Sequence, residues 1–375
     1  MKRVGLITFC NHELKVNYGQ VLQMYALYTY LTSCGHIVKV INYRPTYIDE
    51  GGLSFKLFGR TFGYQEWYKK KKEKKLYTKR NKKFYKFVRY KINITKPCYT
   101  EKDVIRELED CDVFMAGSDQ IWNIEAFNKI RLLGIDKNIK RISYGSSGLF
   151  EESEEAEAEY RRMAKYWEDI DNISVREESG KRIIERYIDR EVEVVADPVF
   201  LLEPKYWKCE HRTITEPYML CYFLSGSKVY RHIIKHIAKK NDIKRIIFVD
   251  AENYENHKGL GDIKKDVGPM EFVELIAHAE LVCTDSFHGT MFSLIFQRQF
   301  FLMKRNEKYK NTFSNVERFR MMFEQWGLRD RIIKNIKEYE DIVDIDYKML
   351  YEKINSHIDK SKKYLERVLG GEDVS

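Results

Sequence analysis

Residues Leu281 to Phe300, LVCTDSFHGTMFSLIFQRQF, constrain the fold more than any other stretch of the chain. Leu281, Val282 and Cys283 form a short apolar run, as expected of a strand buried on both faces. Thr284, Asp285 and Ser286 interrupt it with side chains that cap helices. Met291, Phe292, Leu294, Ile295 and Phe296 then recur at helical spacing. The stretch therefore reads as a strand, a polar turn and a helix. His288 falls in the first turn of that helix, beside Gly289, where a backbone can be approached closely. N–H groups and the dipole at such a helix start can hold an anion. A histidine there can also give or take a proton near neutral pH. The plainer alternative is an ordinary strand–helix connection with a solvated histidine.

The same rhythm runs from the N-terminus. Val4 to Phe9 reads as a strand, Gly19 to Ser33 as a helix closed by Cys34-Gly35, and Ile37 to Ile41 as a second strand. This β–loop–α–β unit opens a doubly wound α/β domain. The loop from Asn11 to Tyr18 stands at the carboxyl edge of the sheet, so Asn17, Tyr18 and Gly19 are candidates for lining a site. No G-x-G-x-x-G follows the strand, and a nicotinamide cofactor is not indicated.

Further on, Val113 to Ala116 forms a strand followed by Gly117-Ser118-Asp119-Gln120-Ile121-Trp122-Asn123. This turn can present the Asp119 carboxylate to sugar hydroxyls, with Ser118 beside it and the Trp122 indole as a stacking face. Alternatively, Asp119 caps the next helix. Ile142 to Tyr144 is a strand, and the acidic run Glu151 to Glu159 opens a surface helix. Asn172 to Val175 is a strand that delivers Arg176 at its end. An arginine there can clamp a carboxylate or phosphate in two-pronged fashion, or form a salt bridge with a nearby Glu. Val192 to Val195 runs into Asp197-Pro198, where a first domain closes.

A second domain starts near Pro204. Tyr218 to Leu224 is its first strand, followed by a Ser225-Gly226-Ser227 turn and a helix from Tyr230 to Lys239. Arg245 to Val249 is a strand, Glu271 to Ala279 a helix, and the stretch from Leu281 follows. Phe300 to Met303 is the last strand expected. Helices over Asn311 to Gly327 and about Asp346 to Leu369 complete the chain. The expected division is 1–203, 204–340 and a C-terminal helix over 341–375 that packs back on the first domain. A chain of 375 residues accommodates two such domains.

Residues 50–96 differ in character. The segment is basic and aromatic and reads as helical from Tyr64 to Tyr90, with Trp67, Leu76, Phe84, Phe87 and Val88 as anchors. Between Lys69 and Arg89 stand twelve Lys or Arg and one acid, Glu73. The whole chain is +9, so everything outside this segment is slightly acidic and the positive surface is local. Such a helix is either a solvated face or an attraction for anionic lipid head groups or an anionic, lipid-linked acceptor. It matches no nucleic-acid module.

No apolar run reaches the roughly 18 residues of a membrane helix. The N-terminus reads as a strand rather than a signal peptide. The seven cysteines are scattered, with no C-x-x-C pair, which argues against zinc and a disulfide framework and for a reducing cytoplasm.

Five motifs, in order, resemble the polysaccharide pyruvyl transferase family: N-Y-G-Q-V-L-Q at Asn17 to Gln23, G-S-D-Q-I-W-N at Gly117 to Asn123, I-S-V-R-E at Ile173 to Glu177, D-P-V-F-L-L at Asp197 to Leu202, and T-D-S-F-H-G-T at Thr284 to Thr290. The resemblance covers residue 1 to about 330 and implies two Rossmann-like doubly wound domains facing a cleft, similar to GT-B glycosyltransferases. It implies transfer of the pyruvyl group of phosphoenolpyruvate to two hydroxyls of one sugar, giving a cyclic ketal. It also implies roles. His288 becomes the general acid or a phosphate contact, and Arg176 the donor clamp. Ser286 with the N–H groups of His288, Gly289 and Thr290 becomes an anion cradle. Asp119 becomes the base or the hydroxyl orienter on the acceptor side. No cofactor and no metal are demanded, because Arg, His and backbone dipoles can neutralise the leaving phosphate. The acceptor is a surface polysaccharide or its lipid-linked precursor, reached in the cytoplasm or at the inner face of the membrane.

One departure matters. Where the family carries Arg-x-His, this chain has Ser286-Phe287-His288. Lys304 or Arg305, just past the next strand, can stand in for the missing cation. Two other readings keep the same scaffold: a glycosyltransferase using a nucleotide sugar, and a non-catalytic component of a polysaccharide assembly complex held by the basic helix.

Overall fold

Strands in this chain are short and apolar on both faces, which suits parallel sheets covered by helices on each side. The computed structural model describes residues 1–10, 16–45, 78–148, 150–207, 214–225, 229–249, 258–303, 322–333, 335–339 and 342–370. The chain divides into two units, Met1–Leu201 with Ile358–Ser375, and Leu202–His357.

In the first unit, β1 (Arg3–Ile7), β2 (Ile37–Val40), β3 (Val113–Ala116) and β4 (Lys140–Ser143) form a parallel sheet in the order β2-β1-β3-β4. A parallel pair, β5 (Ser174–Val175) and β6 (Glu193–Val194), extends it through the bridges Ile142 to Asn172 and Ser146 to Val175. Chain progression therefore reverses between β1 and β3. That reversal is the switch point of a doubly wound sheet, and ligands of such sheets sit outside the carboxyl ends of the strands there.

Helix α1 (Tyr18–Ser33) follows β1 and is buried on most of its circumference. Asn17 caps it, accepting from Gln20 N at 3.2 Å. Gly35 closes the turn after it at φ +85°, a conformation that favours glycine. Helix α2 (Thr78–Lys91) packs on α1 through Phe84 and Phe87, whose rings lie 4.9 and 5.1 Å from those of Tyr18 and Tyr25. The expected anchors Trp67 and Leu76 lie outside the described residues. Helix α3 (Glu101–Glu107) begins with a reciprocal Thr100–Asp103 cap. Helix α4 (Glu154–Trp167) is capped by Ser153, and its acidic first turn complements the dipole. Beneath α4 the rings of Trp122, Tyr160, Trp167 and Tyr187 pack together. Helix α5 (Glu178–Ile184) connects β5 to β6.

The second unit holds β7 (Met219–Tyr222), β8 (Ile246–Val249), β9 (Asp262–Lys264), β10 (Leu281–Thr284), β11 (Gln299–Met303) and β12 (Ile332–Ile333). All are parallel, in the order β12-β11-β10-β7-β8-β9. Counted from its own first strand this is 3-2-1-4-5-6, the Rossmann order, with the switch point between β7 and β10. Helices α6 (Val229–Lys240), α7 (Pro269–Ala277) and α8 (Phe287–Ile295) complete it. Most of the expected Asn311 to Gly327 helix lies outside the described residues; 322–326 are helical. The sequence reading omits β9 and β12, whose two or three residues are too few to set a period.

Helix α9 (Tyr347–Gly370) begins in the second unit, where the hydroxyl of Tyr351 donates to Leu294 O and Ile295 O at 2.9 and 3.0 Å. It ends in the first unit. There the buried Ser361 Oγ accepts from Ala196 N at 2.8 Å, and the Tyr364 hydroxyl donates to Ser143 O at 2.8 Å. Ser361→Ala leaves the buried Ala196 N–H without that acceptor. The expected cost is about 1–3 kcal/mol, read as a lower urea midpoint with an unchanged denaturant slope.

Candidate active site

At the second unit's switch point, Thr284 ends β10. Its hydroxyl donates to Tyr222 O across on β7 at 2.6 Å and accepts from Ser286 N at 3.0 Å. Asp285 is fully buried and acts as a clip. One carboxylate oxygen accepts from Leu224 N at 2.6 Å, and the other from Ser225 N at 2.9 Å and Ser225 Oγ at 2.5 Å. Ser286 is the N-cap of α8, its Oγ accepting from Gly289 N at 3.3 Å. The Ser286 carbonyl accepts from Thr290 N and from Thr290 Oγ1, both at 3.1 Å. The expected anion cradle is corrected by this geometry. Ser286 Oγ and the N–H groups of Gly289 and Thr290 are all committed inside the cap. Gly289 also serves packing: a Cβ there would stand 2.6 Å from Thr284 Oγ1, so its bare backbone lets α8 lie against β10. His288 is the second residue of α8. Its ring is buried and meets Phe287 edge-on at 5.2 Å. Lys304 and Arg305 lie outside the described residues.

At the first unit's switch point, Thr8 follows β1 and Ser118 and Asp119 follow β3. Thr8 Oγ1 donates to Ser118 O at 2.7 Å and accepts from Gln23 Nε2 at 2.9 Å. Asp119 adopts φ +73°, uncommon for a residue with a side chain. Its carbonyl accepts from Ile121 N at 2.7 Å and Ser147 N at 2.9 Å. It caps no helix, since the short turn Ile124–Ala126 is capped by Asn123. Arg176 is buried and already held: it donates to Asp197 Oδ2 at 2.7 Å and to Ser147 Oγ at 2.9 Å, and it lies 3.5 Å from Glu177 Oε1. Ser147 Oγ in turn donates to Glu177 Oε1. Burial disfavours the guanidinium charge, yet Glu177, Asp197 and Asp119 together raise its pKa above the ordinary value. An incoming anion would have to displace a buried Asp197, so the expected donor clamp is corrected to a charge held within the first unit.

Two expected lining residues belong to the core. Trp122 is buried, its indole N–H donating to Arg131 O at 3.1 Å and its ring packing on Trp167 at 6.2 Å; it offers no stacking face. Tyr18 is buried against Phe84, with the Arg80 guanidinium 5.1 Å from its ring. Asn17 and the buried Gly19 build the start of α1. Sequence reasoning missed Thr8, Gln20 and Gln23 here. The available signal was a glutamine, Gln23, inside the apolar run VLQMYAL. Among the described residues, no group of three or more His, Cys, Asp or Glu is placed to hold a metal ion.

Residues 17–307 match the family model described as polysaccharide pyruvyl transferase. The chain belongs to that family. This pyruvyl transferase family member is therefore a transferase, and its five motifs place their residues at the two switch points or in the core beneath them. No curated protein matches it in sequence. Similar solved structures are UDP-N-acetylglucosamine 2-epimerases. One has a TM-score of 0.57 and 10% identity, covering 98% of this chain and 95% of its own. A putative epimerase from Listeria monocytogenes has 0.55 and 9%, covering 98% and 90%. The Methanocaldococcus jannaschii enzyme, in complex with UDP-GlcNAc and UDP, has 0.52 and 13%, covering 98% and 99%. At these identities the likeness shows the fold, a GT-B-like pair of Rossmann-like units.

In this transferase the Arg176 charge cluster has a direct test. Arg176→Met removes the guanidinium that Asp197 and Glu177 share and is expected to cost about 3–5 kcal/mol. Arg176→Lys keeps the charge but not the forked geometry and should recover part of that loss. Chemical denaturation of both variants checks it; a loss below about 1 kcal/mol for Met, the scale of an exposed pair, would show that Arg176 is not the hub.

Proposed function

We propose that the protein transfers the pyruvyl group of phosphoenolpyruvate to two hydroxyls of one sugar in a surface polysaccharide or its lipid-linked precursor. The product is a cyclic pyruvate ketal, and phosphate is released. The observation that carries the reading is the position of His288, second in a helix that starts at the second unit's switch point, in a chain of this family.

A proton goes to the methylene carbon of the donor, which becomes a methyl group and leaves an oxocarbenium-like centre. The first sugar hydroxyl attacks that centre and gives up its proton to a base. The carbon–oxygen bond to phosphate breaks, and the second hydroxyl closes the ring. Of the two hydroxyl protons, one ends in the methyl group and one leaves with phosphate. His288 supplies the acid or the phosphate contact, aided by the positive end of the α8 dipole. Asp119 takes or orients the hydroxyl proton. Arg176 positions Asp119 through its charge, in place of holding the donor.

Helix α2 provides the approach to a lipid-linked acceptor. It contains seven Lys or Arg and no acid. Arg80, Phe84, Phe87 and Val88 face inward, while Lys79, Lys82, Lys86, Arg89 and Lys91 are exposed beside Tyr85 and Tyr90. Lysines with interleaved tyrosines suit an anionic head-group layer. No described helix is long and apolar enough to cross a membrane.

Acceptor-dependent phosphate release from phosphoenolpyruvate, with a panel of pyranosides, tests the reaction. His288→Ala is expected to lower kcat by about 100-fold or more; near-wild-type turnover in the folded variant removes His288 from the mechanism. Saturable binding of a nucleotide sugar and none of phosphoenolpyruvate would favour a glycosyltransferase instead. Replacing Lys79, Lys82, Lys86 and Arg89 by Gln should weaken binding to phosphatidylglycerol vesicles by about tenfold or more and leave turnover of a soluble acceptor intact. Equal loss on the soluble acceptor would make α2 part of the active site.

A further inference from the structure

We propose that the first unit's switch point is a hydroxyl-binding subsite for the acceptor sugar, contacted by Gln20, Gln23 and Ser118 beside Asp119. The identity of the ligand as the acceptor rests on the function proposed above; the chemistry of the subsite does not.

The direction of one proton orders the turn. Ser118 O is a carbonyl and can only accept, so the Thr8 hydroxyl donates to it and has no second proton to give. Thr8 Oγ1 can then only accept from Gln23. That fixes the amide: Nε2 faces Thr8 Oγ1 at 2.9 Å and Gln20 O at 3.1 Å, and Oε1 is the other end. Among the described residues, Gln23 Oε1 is buried with no hydrogen-bond partner. So is Ser118 Oγ, one peptide from the carbonyl that holds Thr8. So is Gln20 Oε1, one turn earlier on α1. Gln23 and Ser118 are both fully buried. A buried oxygen without a partner costs about 1–3 kcal/mol, and the residues that carry these three are joined through Thr8 Oγ1 and Gln23 Nε2 at this strand end. The place is the one where a doubly wound sheet holds its ligand.

The set also states what it would hold. Two amide oxygens and the Asp119 carboxylate only accept, and Ser118 can accept or donate. The complement is an uncharged ligand rich in donors, which describes sugar hydroxyls. A phosphate or carboxylate brings acceptors and negative charge to a point that already has both, so donor anions are disfavoured here.

Ser118→Ala separates binding from folding. Because Ser118 Oγ has no partner inside the protein, its removal should leave the Tm unchanged or raise it. Binding of methyl pyranosides to the full chain, followed by saturation-transfer NMR without donor, should weaken about tenfold. Phosphoenolpyruvate binding should not change. Gln20→Met should act in the same direction. For the glycoside whose deoxy form loses the contact, wild type and Ser118→Ala should bind that deoxy form equally, as a closed double-mutant cycle requires. Glycoside binding unaffected in both folded variants overturns the proposal and leaves the oxygens to a buried water. Absence of saturable glycoside binding by wild type up to about 100 mM, a range that covers millimolar affinity, also overturns it. If glycosides bind in a Ser118-dependent way while phosphoenolpyruvate gives no turnover, the subsite stands and the donor assignment falls. Turnover with phosphoenolpyruvate in variants indifferent to Ser118 gives the reverse.

Discussion

One hydrogen bond recurs at both switch points: a threonine hydroxyl at the carboxyl end of one strand donates to a carbonyl just past, or at, the end of its neighbour. In the first unit Thr8 reaches Ser118 O; in the second, Thr284 reaches Tyr222 O. The constraint behind it is general. Chains leaving a switch point depart to opposite faces of the sheet, so the polar backbone between them needs side-chain partners. Much of the local geometry follows from the two threonines. Thr284 accepts from Ser286 N and so sets the cap of α8, and its bulk demands glycine at 289. Thr8, with its proton committed, orients Gln23 and leaves the amide oxygen turned away.

The two points differ in charge, and the difference bears on the chemistry. Arg176 is held by Asp197 and Glu177, Asp119 adds to the negative field around it, and burial leaves these charges poorly screened. Hydroxyl groups lower the energy of such a site, because each brings a proton to an acceptor. In the second unit the one acid of the turn, Asp285, is occupied by Leu224 and Ser225, and a helix N-terminus with His288 follows it. An anion meets less opposition there. In the proposed transfer the first unit would serve the neutral diol and the second the donor, which carries both a phosphate and a carboxylate.

Elements with several residues of consistent period were legible in the sequence. Strand β3 falls where expected, and the starts of α1 and α8 follow from their flanking Asn17 and Ser286. The site was legible as a set of turns, since Gly-Ser-Asp and Thr-Asp-Ser are visibly out of place after apolar runs. What those side chains do was not legible. Trp122 reads equally well as a stacking face or a core residue, because the pattern does not say that α4 will cover it with Trp167. Arg176 reads as a clamp until Asp197, 21 residues away, is found within 2.7 Å. Gln23 was hidden by its neighbours: a single polar residue in an apolar helix carries no period of its own.

The serine at 286 shows how a departure from the family pattern can be compensated locally and yet leave a deficit in charge. As N-cap, serine offers an oxygen to Gly289 N, a contact worth about 1 kcal/mol that an arginine could not make. What arginine would supply is a charge-assisted donor to an anion, worth about 1.5–3 kcal/mol. A better cap does not replace it, because a cap stabilises the protein with or without donor. A cation that replaced it would have to come from another element than the cap itself. In the pairing of β10 with β11, Thr284 stands opposite Leu302. Strand β11 ends at Met303, and the cations that follow it in sequence, Lys304 and Arg305, lie outside the described residues.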